Sequence, residues 1–136
     1  MKYFLPIPLI FFVCALAAQP ADVLSNCRNF LGDKYISDGQ QYRALLTGEE
    51  TAEFHATFYE KNRYRVVACG AKSNNHTIVY NIYDKERNLL FSNKDYDNTP
   101  YWDLYFSSTT DCIIEARLDT NIQKSGIVFL MIGFEH

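Results

Sequence analysis

The chain is poor in the residues that carry catalysis and metal chemistry. It holds 3 histidines, 4 cysteines, 2 methionines and 1 tryptophan in 136 residues. No two cysteines or histidines stand at the spacing of a zinc site. There is no GxSxG turn. His55 falls on the outward parity of a strand, His76 opens another and His136 is the last residue, so no set of nucleophile, base and orienting group is suggested. Cations are few as well. The 13 Lys and Arg against 16 Asp and Glu give a net charge of −3 and form no basic stripe. This argues against nucleic acid as a partner, because its affinity comes chiefly from phosphate neutralisation. It argues equally against attachment to an anionic membrane through a polybasic segment. No cofactor is expected. Repeats, linkers and low-complexity segments are absent, and no apolar run beyond residue 18 approaches the ~20 residues of a spanning helix.

What is present begins with an export signal. Residues 1–18, MKYFLPIPLIFFVCALAA, combine an early Lys2, an apolar run from Ile7 to Leu16 and small residues at Ala15, Ala17 and Ala18. Charged head, apolar middle and small-residue tail predict a cleaved signal peptide. The run is too short for an anchor, and Pro6 and Pro8 interrupt its start. Cys14 follows Val13, which does not suit lipid attachment. The mature chain is then residues 19–136, one domain in the periplasm or outside the cell. It keeps Cys27, Cys69 and Cys112, an odd number that allows at most one internal disulfide in any of three pairings.

Residues 20 to 32 predict a short helix. Val23, Leu24, Cys27, Phe30 and Leu31 share one face of a 3.6-residue period, with Pro20 in the first turn and Gly32 just past the end. From Gln40 the period becomes two. Phe54, Ala56 and Phe58 alternate with polar neighbours, as do Tyr64, Val66 and Ala68, then Ile78, Tyr80 and Ile82. Trp102, Leu104 and Phe106 oppose Tyr101, Asp103 and Tyr105, and Cys112, Ile114, Ala116 and Leu118 oppose Ile113, Glu115 and Arg117. The run from Ile127 to Phe134 is apolar at both parities, as a central strand covered on both faces would be. Turn clusters, including 72–75, separate these runs. About eight short strands with polar turns predict an all-β fold: a two-sheet antiparallel sandwich of jelly-roll type with one N-terminal helix.

The stretches YISDGQQYRALL, AEFHATFYEKNRYRVVACG, IYDKERNLLFSN, YWDLYFSSTTDCIIEARLD and SGIVFLMIGFEH resemble a group of small, functionally uncharacterised exported bacterial proteins. The wider pattern is similar to the pre-peptidase C-terminal β-sandwich: a strand ending in YRV, a YD…LL hairpin, and a small-residue turn before the closing strand. That resemblance implies a fold rather than an activity. Modules of that type ride beside a catalytic domain, and this chain shows none.

Three constellations stand out. Tyr101, Asp103 and Tyr105 share the outward face of one strand, two rings and a carboxylate ~7 Å apart. Such a platform suits stacking on a sugar ring with hydrogen bonds to its hydroxyls, or anchoring an interface; Tyr59, Tyr83 and Tyr96 are candidates to extend it. Asp103 and Glu115 are the outward carboxylates that could serve a small secreted glycoside hydrolase. Asp95 and Asp97, in the loop from Asn93 to Asn98, place oxygens at alternate positions as calcium prefers, without the glycine and distal Glu of an EF-hand. The leading expectation is an exported, non-catalytic binding module whose partner is a glycan or another envelope protein. The alternatives are the paired-carboxylate hydrolase and a purely structural module for a protein partner.

Overall fold

A computed structural model describes residues 21–70 and 76–136. Residues 1–20, with the expected export signal and Pro20, and residues 71–75, with the expected turn at 72–75, lie outside the described residues. A helix, α1 (Ala21–Leu31), leads into eight strands: β1 (Tyr35–Thr47), β2 (Thr51–Phe58), β3 (Asn62–Gly70), β4 (Ile78–Asp84), β5 (Leu89–Ser92), β6 (Tyr101–Phe106), β7 (Thr110–Leu118) and β8 (Ser125–Glu135). A 3-10 turn, Asn93–Tyr96, joins β5 to β6.

Pairing follows one rule. β1 pairs with β8, β2 with β7, β3 with β6 and β4 with β5, all antiparallel, as if the chain were a single long hairpin. Successive rungs go to alternate sheets. Two four-stranded sheets result, ordered β1-β8-β3-β6 and β2-β7-β4-β5, which is a sandwich of jelly-roll type.

The period of two decides what lies between the sheets. Val66, Ala68, Leu130 and Ile132 from the first sheet meet Tyr80, Ile82, Ile114 and Leu118 from the second, all buried. Trp102 and Leu104 pack against this core half-buried, and Phe106 is buried. On β7 the opposite parity, Ile113, Glu115 and Arg117, is half-exposed, so the second sheet has one wet face.

The centre of the first sheet is covered on both faces. Val67, Cys69, Phe129 and Met131 point away from the sandwich and are buried beneath Cys27 and Leu31 of α1. That second core explains why β8 is apolar at both parities. An 11-residue helix is too short to persist alone. It is tied down by a disulfide between Cys27 and Cys69, 42 residues apart in sequence. Cys112 stays a free, buried thiol in the main core, and burial pushes its pKa up to about 11. Gly133 lets the helix end approach β8, since a Cβ there would stand 2.5 Å from Leu31 Cδ1 and 3.0 Å from Tyr35 Cβ.

Candidate functional site

The outward parity of β6 puts Tyr101, Asp103 and Tyr105 on the helix side of the first sheet. Register sets Asp103 opposite Arg65, Tyr105 opposite Arg63 and Tyr101 opposite Val67. Arg65 grips Asp103 with two hydrogen bonds, Nε to Oδ1 at 2.7 Å and Nη2 to Oδ2 at 3.0 Å. The same guanidinium donates from Nη1 to the carbonyls of Phe30 (3.0 Å) and Leu31 (3.4 Å), where the helix ends with unsatisfied acceptors. Its carbon lies 4.5 Å from the ring centroids of both Tyr35 and Tyr101. One cation therefore caps the helix, pairs a carboxylate in fork geometry and is sandwiched by two rings.

These contacts fix the charges. The hydrogen bonds from Arg65 hold the Asp103 carboxyl below its ordinary value against partial burial, and those same bonds raise Arg65. Burial raises the Tyr35 phenol, with Asp103 adding to it. Tyr101 keeps 38% of its surface exposed while touching Phe30 at 6.0 Å between centroids. Tyr105 is 59% exposed. Its neighbour Arg63 pairs with Glu135 at 3.3 Å. Thus the strand brings the three sequence-predicted residues together on one face, but both oxygens of Asp103 are already bonded. For Arg65 the partner is Asp103, which the parity of β3 and β6 permits and only their register reveals.

The second carboxylate of the hydrolase reading sits elsewhere. Glu115 points from the outer face of the second sheet, so Asp103 and Glu115 lie on opposite sides of the sandwich. Glu115 stands opposite Glu53, and Arg87 offsets the two like charges at 2.7 Å from Glu53 and 3.7 Å from Glu115. The three other tyrosines disperse. Tyr83 accepts from Asn81 at 3.2 Å on that second sheet, Tyr96 packs on Trp102 with centroids 4.4 Å apart, and Tyr59 faces the groove described below.

Asp95 and Asp97 are exposed in the β5–β6 connection. Asn93 is fully buried there, and its side chain accepts from Tyr80 N–H (2.8 Å) and donates to the carbonyls of Ile78 (2.9 Å) and Thr99 (3.1 Å). Asp97 and Asn98 adopt left-handed φ of 56° and 51°, a conformation these two residue types tolerate well. Among the described residues no group of three or more His, Cys, Asp and Glu is placed to hold a metal ion.

Sequence reading missed a groove of about 790 Å³ at the other edge of the sandwich. β1 and β2 are the edge strands of the two sheets and leave a common corner at Gly48–Glu50. Asp38, Gln40 and Tyr42 line it from β1, His55, Ala56 and Thr57 from β2 with Tyr59 just beyond, and the buried Tyr64, Cys112 and Ile132 line it as well. Phe134, Lys85 and Asp111 stand at its rim. The β1 wall is irregular, its ladder shifting between Ser37 and Gln41 around Gly39 at φ +82°. Asp38 Oδ1 accepts from Gln40 N–H (2.9 Å), Tyr42 donates its hydroxyl to Gln40 Oε1, and Thr57 donates to Asp111 Oδ1 (2.7 Å). Partial enclosure raises the Asp38 carboxyl, opposed by the Gln40 N–H.

No family model matches the chain, and no curated protein matches it. Among solved structures it is similar to PliG of Aeromonas hydrophila, a periplasmic lysozyme inhibitor of g-type lysozyme. The TM-score is 0.54 at 12% identity, over 71% of this chain and 85% of that one. The likeness is one of fold.

Proposed function

We propose that the protein is an exported, non-catalytic binding module whose partner is another protein, held on the tyrosine face of β6. The observation that carries this reading is the exposure of Tyr101 and Tyr105 on a strand immobilised by Arg65. Exposed rings on a preorganised surface bind at low entropic cost and are frequent hot spots of interfaces. Export is supported by the charge, apolar run and small residues of positions 1–18. A non-catalytic role is supported by the separation of Asp103 and Glu115 onto opposite sides of the molecule, where they frame no shared cleft. The fold shared with a periplasmic inhibitor points the same way and suggests a lysozyme as the first partner to try. A sugar stacked on Tyr101 and Tyr105 would compete with Arg65 for Asp103, so a protein partner suits this face better.

Interferometry between residues 19–136 and purified g-type lysozyme, beside a cell-wall lysis assay, tests the proposal. Saturable binding with slowed lysis is expected, weakened at least about tenfold by Tyr105→Ala. Lack of saturable binding, unchanged binding by Tyr105→Ala, or cell-wall cleavage by the protein itself would overturn it.

A further inference from the structure

The groove between β1 and β2 lies at the edge of the first sheet opposite to β6, so it is a separate site from the tyrosine face. We propose that it binds a neutral oligosaccharide. Its lining is the reason. Tyr59 (60% exposed) and Phe134 (38% exposed) present accessible rings, and Tyr42 adds a half-buried one packed on Phe54 at 5.4 Å. Polar groups share the lining: the carboxylates of Asp38 and Asp111, the amide of Gln40 and the hydroxyl of Thr57, each of which uses one atom within the protein and, unlike Asp103, keeps further donors or lone pairs for a ligand. A pyranose offers the matching pattern, apolar C–H faces for aromatic rings and a rim of hydroxyls for carboxylates and amides. A volume of about 790 Å³ is that of a small-molecule site and gives room for more than one sugar unit.

Other ligand classes fit less well. Phosphate or other anions would face two aspartates against a single lysine, Lys85. An acyl chain would desolvate two carboxylates and an amide whose bonds within the protein use only part of their hydrogen-bonding capacity. A peptide adding as a strand needs a regular free edge, and β1 is bulged between Ser37 and Gln41, in the stretch that lines the groove. Saccharide binding uses side chains rather than the backbone ladder, so the bulge does not hinder it. Asp38 and Gln40, in that same stretch, line the groove beside Tyr42.

The test is a titration of isotope-labelled residues 19–136 with chitotetraose and, separately, cellotetraose, followed by amide chemical shifts. Saturable shifts confined to residues 38–42, 55–59 and 132–134 are expected, with a Kd no weaker than about 1 mM for at least one sugar. Tyr59→Ala and Gln40→Ala, both at exposed positions that leave the core intact, should each weaken it at least about fivefold. Tyr105→Ala should leave it unchanged, which separates this site from the tyrosine face. No saturable shifts with either sugar, shifts centred on β6, or full affinity in both groove variants would overturn the proposal. Unchanged spectra of the variants away from the substitution verify that they are folded.

Discussion

The two sheets bury their inner faces alike and treat their outer faces in opposite ways. The outer face of the first is dry at its centre: Val67, Cys69, Phe129 and Met131 lie under α1, which is fastened by a disulfide and by Arg65. The outer face of the second is wet, and its charges, Glu53, Arg87 and Glu115, meet only each other and solvent. The difference teaches where this small protein has invested rigidity. β6 lies beside the fastened helix, and its exposed tyrosines gain a fixed backbone from it. The groove at the β1–β2 edge has no such cover, and its polar side chains keep part of their hydrogen-bonding capacity for a ligand.

Four changes sharpen that contrast, from the largest effect to the smallest. Replacing both Cys27 and Cys69 by serine removes a cross-link spanning 42 residues, which should cost about 4 kcal/mol of stability. Urea unfolding reads it, and a reducing agent should reproduce it in the native protein alone. Gly133→Ala forces a methyl group to within 2.5 Å of Leu31 Cδ1, and overpacking of this kind costs about 1–3 kcal/mol. Its effect should shrink once the disulfide is removed and the helix can shift, a coupling that a double-mutant cycle measures.

Arg65→Met is expected to cost about 1–2 kcal/mol at neutral pH, discounted because Asp103 is 35% exposed. The sign of its pH dependence follows from the lowered Asp103 pKa. The stabilisation is present above the ordinary carboxyl value of 3.8 and is lost as pH falls through the depressed folded value. Native protein and Arg65→Met should therefore converge in acid, below that value. On the wet sheet, Arg87→Ala should leave the melting temperature unresolvably changed, since its pairs with Glu53 and Glu115 are exposed to solvent. A destabilisation by Arg87→Ala as large as that of Arg65→Met would erase the distinction between the two faces.

Much of the fold was legible in the sequence because burial has a period. Trp102, Leu104 and Phe106 face the core as their alternation requires, and the double-parity run of β8 marked a segment covered on both sides, as β3 beside it also is. The helix face Leu24, Cys27, Phe30 and Leu31 packs as its spacing implies. Pairing information was not legible. The disulfide partner of Cys27 depends on which strand lies under the helix, and the partner of Asp103 depends on register, neither of which leaves a local trace. The groove was hidden for the same reason, since Gln40 and Thr57 are ordinary strand residues until two edges are set side by side.

Native-state hydrogen exchange on residues 19–136, oxidised and reduced, measures most directly whether the dry face is held by the helix. Slowest exchange is expected in Val66–Cys69 and Val128–Ile132, with reduction accelerating α1 and the β6 amides while β2 and β7 keep their rates. Equal protection of the two sheets' outer strands, or an α1 and β6 indifferent to reduction, would contradict it.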